Sequence, residues 1–253
     1  MTGNDPTIVH RIIVCGGALP TGRASLDMAA ELAARLRAEL SGLYIEDSTM
    51  ARLAEHPTVR LVGTSGSALP AGNALLGRAL RARSEAMRQA LAEAAERRQV
   101  DHTFTVRRGM TDMEVRNAAH EADLVLLAWT GSETVPRQGR ILVLHDGSEA
   151  GDRAFATAVE VARRLDREVG VLLLARSQAR AVKLHREMEA RAETLAVSAY
   201  VQFIPEPTPT LTARAVTALR GALLLMPRDN PLLEGETGHR FLDLTPSPVV
   251  LVG

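Results

Sequence analysis

The stretch "ILVLHDGSEAGDRA", residues 141–154, ends a run of branched apolar residues in His145-Asp146-Gly147-Ser148 and passes straight into a helix-forming segment. A carboxylate, a glycine and a hydroxyl in that order suit two kinds of chemistry. They can receive a nucleoside or phosphate, because glycine lets backbone amides approach an anion closely. They can also turn the chain and cap the next helix, since Asp and Ser side chains accept backbone N–H groups. For Asp146 alone the capping or turn reading is preferred. Downstream stands Gly235-Glu236-Thr237-Gly238. A lone Gly-x-x-Gly reads more readily as a plain loop than as a phosphate cradle.

Other candidates for chemistry are few. His10, His56, His102, His120, His145, His185 and His239 are never paired with another His or with Cys at metal-ligand spacing. Each reads as a surface or helix residue. Ser148 is no nucleophile elbow, because Asp146 stands where the first glycine must be, and Ser65 lacks glycine at 67. No P-loop lysine motif occurs. The single cysteine, Cys15, sits in an apolar run and reads as a small buried hydrophobe rather than a reactive thiol. No acid/base pair emerges, so the chain is expected not to be an enzyme. The Arg-rich "RALRARSEAMRQALAEAAERR" alternates its charges at neighbouring turns and reads as a solvated helix face rather than an anion site.

Bulk composition narrows the partners. Lys+Arg and Asp+Glu are both 30 in 253 residues. A zero formal charge argues against broad binding to nucleic acid or anionic membrane, which need a basic excess. Aromatics at 3% argue against a base-stacking platform. "MTGNDPTIVHR" lacks the basic and apolar regions of a signal peptide. No apolar run reaches the roughly 18–20 residues of a membrane helix. A cytoplasmic protein is expected, with neither nucleic acid nor membrane as partner.

The elements that would hold these residues alternate. Residues 8–15 read as a strand and 23–39 as an amphipathic helix, and "LSGLYI" returns as a strand. Residues 76–98 carry Leu76, Leu80, Met87 and Leu91 at helical spacing; "HTFTVRRG" alternates like a strand. Residues 111–122 read as a short helix with Thr111 or Asp112 near its N-cap, and "DLVLLAW" as a doubly buried strand. Strands then fall near 140–145, 169–175, 198–204 and 222–226, with helices near 151–167, 179–195 and 210–219. Alternation of this kind implies right-handed crossovers and a parallel sheet covered on both faces. Ligands of such sheets sit beyond the carboxyl ends of the strands, where Asp146-Gly147-Ser148 would lie.

The order also repeats. Residues 11–45 align with residues 140–174 without a gap, and 11 of the 35 positions are identical, among them Arg11/Arg140, Gly22/Gly151, Arg35/Arg164 and Glu39/Glu168. Two similar units follow, 8–131 and 139–253, with the seam near "SETVPRQGR".

"ILVLHDGSEAGDRAFATAVEVARRL" and "RRGMTDMEVRNAAHEADLVLLAWTG" are similar to the universal stress protein family, the first to its opening strand, Asp loop and first helix, the second to its third helix and fourth strand. The resemblance spans almost the whole chain as two tandem units. It implies a Rossmann-like, adenine nucleotide alpha hydrolase-like α/β fold, with a parallel sheet ordered 3-2-1-4-5. It also implies ATP, with Mg²⁺, in many members: an Asp after the first strand approaches the nucleoside, and a Gly, two residues, Gly, nine residues, Gly-Ser/Thr segment cradles the phosphates.

The chain departs from that pattern. Gly17 stands opposite Asp146, so the first unit lacks the carboxylate. Its fourth strand runs almost directly into the second unit, leaving no room for a glycine-rich segment, fourth helix or fifth strand. In the second unit Pro248 stands where a third glycine is needed, and a fourth helix of normal length does not fit between Gly238 and the final strand. The expected reading is a universal stress-like binding or regulatory module without ordinary ATP binding and with no cofactor. Its alternatives are a nucleotide binder or weak ATPase using Asp146, Gly147, Ser148, Gly235 and Gly238, and a structural assembly module working through an unnamed protein partner. The terminal strand Pro248, Val249, Val250, Leu251 and Val252 would close an internal pseudo-dimer or pair between two chains. The irregular segment 47–75 reads equally as a lid or partner surface and as a tolerated insertion.

Overall fold

The computed structural model describes residues 9–17, 22–49, 52, 60–62, 68–70, 73–127, 139–175, 177–195 and 197–253. Most of segment 47–75 and of the seam at 132–140 lies outside them.

The first half runs β1 (Arg11–Gly16), α1 (Arg23–Leu36), β2 (Glu39–Asp47), a short antiparallel pair β3 (Arg60–Val62) and β4 (Ala68–Pro70), α2 (Asn73–Glu96), β5 (His102–Gly109), α3 (Thr111–Glu121) and β6 (Leu124–Leu127). The second runs β7 (Arg140–His145), α4 (Glu149–Leu165), β8 (Val169–Leu174), α5 (Gln178–Thr194), β9 (Ala199–Ile204), α6 (Pro209–Ala218), β10 (Gly221–Pro227), a 3₁₀ turn at Pro231–Leu233, α7 (Gly235–Leu244) and β11 (Val249–Val252).

Nine strands form one sheet in the order β5-β2-β1-β6-β11-β10-β7-β8-β9. The first half contributes four strands ordered 3-2-1-4, and the second five ordered 3-2-1-4-5. β11 is hydrogen bonded in parallel to β10 and antiparallel to β6, with Val249 opposite Leu127 and Val252 opposite Leu124. The strands of the two halves therefore run in opposite directions. Four consecutive buried apolar residues make β11, as a strand flanked on both sides requires. Pro248 lies just before it, and its carbonyl accepts the Leu224 N–H.

Alternate strand residues feed two cores. Ile12, Val14, Ile141 and Val143 face one way, beneath α1, α2, α4 and α5; Leu91 and Met87 of α2 join them. Ile13, Cys15, Leu142 and Leu144 face the other, beneath α3, α6 and α7. On the first face α1 packs against α4, so helices also tie the halves together.

Three local expectations are corrected. α1 stops at Leu36 because Arg37 turns left-handed (φ 56°). The N-cap of α3 is Met110, with no side-chain cap; Thr111 instead donates its hydroxyl to Asp47 Oδ2 at 2.6 Å. A fourth helix does fit in the second half, because α7 begins at Gly235, inside the segment read as a loop.

Candidate functional site at the carboxyl ends of the second half

A cavity of about 600 Å³ opens where the chain leaves β7, β8, β9 and β10; its walls include Asp146, Ser177, Arg180, Asn230 and Thr237. Asp146 thus shares one cavity with the first turn of α7, which holds Gly235 and Gly238.

Each residue is held by local chemistry. Asp146 Oδ1 accepts the Ser148 N–H at 2.9 Å, closing an Asx turn. Ser148 is the N-cap of α4 and accepts the Gly151 N–H at 3.0 Å. Gly147 has φ +83°, and an added Cβ would stand 2.5 Å from Arg180 Nη2 and from Leu184, so both conformation and space demand glycine. Gly238 donates its N–H to the Glu234 carbonyl, and an added Cβ would stand 2.4 Å from the Leu233 carbonyl oxygen. Gly-x-x-Gly is here the first turn of a helix seated on the preceding 3₁₀ turn. Asn230 is buried and caps that 3₁₀ turn, accepting the Leu232 N–H at 3.0 Å.

Beneath the loop lies a buried group, contrary to the surface or helix position its sequence suggests. His145 is neither on the surface nor on a helix; it ends β7 at 1% exposure. Its Nδ1 accepts the Gly147 N–H at 3.1 Å, which puts the proton on Nε2, 2.9 Å from Asp152 Oδ1. Arg191 of α5 pairs with the same carboxylate oxygen. Burial pushes the Asp152 pKa up, but the hydrogen bonds from Arg191 and His145 outweigh it and hold the carboxyl below its usual value. Only long-range packing of α4 against α5 brings Arg191 there, so no sequence spacing announces it. Arg180, which overhangs Gly147, arrives in the same way.

In the first half Gly17 occupies the place of Asp146, beside Cys15. Burial pushes the Cys15 thiol up to about 12, so it stays protonated. Among the described residues no group of three or more His, Cys, Asp or Glu could hold a metal ion. No helix among them is long and apolar enough to cross a membrane.

No protein-family model and no curated protein matches the sequence. Solved structures do. A universal stress protein from Archaeoglobus fulgidus is similar at a TM-score of 0.62 and 13% identity, covering 95% of each chain. A candidate universal stress protein from Pseudomonas aeruginosa is similar at 0.51 and 13%, covering 98% of this chain and 95% of that one. The cytoplasmic domain of a prokaryotic cation chloride cotransporter follows at 0.50 and 12%, covering 96% and 95%. At these identities the likeness concerns the fold: the chain has the α/β, Rossmann-type fold of universal stress proteins.

Proposed function

We propose that this protein is a non-catalytic binding or regulatory module of the universal stress type, with a second-half nucleotide position that no longer holds ATP in the usual way. The observation that supports this most is the state of α7. Gly235 starts a helix whose first-turn amides stay open to an anion, but no third glycine completes a cradle, because Pro248 stands in its place. Glu234 and Glu236 flank the amides of that turn, and their charge opposes a polyphosphate. Asp146, the residue expected to meet the nucleoside, has one carboxylate oxygen engaged in its own turn. These residues do not fit ATP with Mg²⁺ held in the usual way.

The test is release of nucleotide from freshly purified, denatured protein, read by mass spectrometry, beside thermal melts with millimolar ATP and Mg²⁺. No nucleotide and no shift is the expected result. A ligand at about 100 times its dissociation constant adds roughly 2.7 kcal/mol, a rise of several degrees here. Such a rise, lost in Asp146→Ala, would overturn the reading in favour of a nucleotide binder.

A second reading is an assembly module. The likeness to a cotransporter's cytoplasmic domain favours it, because there the same architecture works as part of a larger protein. A stable stoichiometric protein partner without bound small molecule is what would establish it.

A further inference from the structure

On the sheet face formed by β1, β6 and β11, α3 and α7 stand apart, and a cavity of about 630 Å³ lies between them. It shares Asn230 with the Asp146 cavity and is lined by Gly17, the first-half counterpart of Asp146, but its other walls are different residues. It exists because β11 pairs directly with β6, so α3 of the first half and α7 of the second become neighbours across the junction. Cys15, Val115, Leu127, Leu233, Leu242 and Leu251 give it an apolar floor, and polar and charged residues, Arg83 among them, make up the rest of its lining. This volume suits a small organic ligand, and an apolar lining with a few polar groups is what such sites share.

The polar groups set the class. Asp112 of α3 faces His239 of α7 at 3.5 Å across the cavity, and Asp47 accepts the Thr111 hydroxyl. Arg228 donates to the Ala119 carbonyl at 2.7 Å and lies 3.8 Å from Asp229. These charges are occupied. Arg116 and His120 stand one turn apart on α3, line the cavity, and have no hydrogen bond or ion pair among the described residues. Glu234 is the one lining acid in the same condition, and it is exposed at the start of α7. The donors lie along the wall beside Val115 and Ala119, so a ligand lying on the apolar floor presents its head to Arg116.

We propose that this junction cavity binds an amphipathic organic anion, its apolar body on Leu127, Leu242 and Leu251 and its carboxylate on Arg116 and His120. A guanidinium suits a carboxylate because it can offer two parallel N–H donors.

The test is calorimetric titration of the full chain with octanoate, 1-octanol and octylammonium. Octanoate is expected to bind one to one and tighter than the other two. Arg116→Ala should weaken octanoate about fivefold, the upper end for an exposed ion pair, and leave octanol unchanged. Leu242→Trp should fill the cavity and abolish binding of all three. Val115→Phe serves the same purpose if Leu242→Trp does not fold. No one-to-one binding, a preference for octylammonium, or octanoate binding indifferent to Arg116→Ala or to cavity filling would overturn the proposal. An ATP-induced melt shift that is lost in Asp146→Ala belongs to the other cavity, so the two tests fail independently.

Discussion

At the scale of single residues the second-half loop is a structural device. Gly238 is glycine because a backbone carbonyl occupies the space of a Cβ. Gly238→Ala should cost about 1–3 kcal/mol through forced displacement of backbone, seen as a lower melting temperature; an unchanged melt would mean the α7 seat is looser than described. Asp152 gives a pH prediction. Its pKa is depressed on folding, so its contribution to stability is present above the usual carboxyl value of 3.8 and is lost as pH falls through the lower folded value. Asp152→Asn should therefore flatten the acid limb of unfolding free energy against pH, measured by urea titration. A variant curve running parallel to the wild type would remove Asp152 from the account. The same carboxylate shows what spacing hides: His145 is seven residues away, but Arg191 comes from a different helix.

At the scale of elements, helix starts depend on both local caps and distant packing. α4 carries its signal in the chain, with Ser148 placed to accept the Gly151 N–H. Ser148→Ala should cost about 1 kcal/mol by leaving that donor unsatisfied, and should leave any nucleotide response unaltered. Altered nucleotide binding without loss of stability would mark Ser148 as a ligand contact instead. α3 shows the opposite case: Thr111 looks like a cap, but Asp47 at the end of β2 takes its hydroxyl. α7 begins inside Gly-x-x-Gly because packing on Pro231–Leu233 stabilises a turn that glycine propensity disfavours.

At the scale of the molecule, β11 joins two half-sheets into one. A proline in a strand paired on both sides removes a ladder hydrogen bond and clashes with its neighbour. Val250→Pro should accordingly destabilise both halves together, and hydrogen exchange should rise in β1 and β6 as well as in β10. Faster exchange confined to the second half would show that the β6–β11 seam carries little of the stability.

The sequence by itself determined the strand–helix alternation of the main sheet and the burial of faces such as Leu76, Leu80, Met87 and Leu91, because periodicity of 3.6 or 2 is written along the chain. It also marked Asp146 and Ser148, whose bonds reach only two or three residues. The tertiary structure alone decided that β11 lies against β6, that His145 is buried over Asp152 and Arg191, and that α3 and α7 enclose a cavity. Those features join residues up to more than a hundred positions apart, and pairing at that distance depends on how strands and helices pack, which no local pattern encodes.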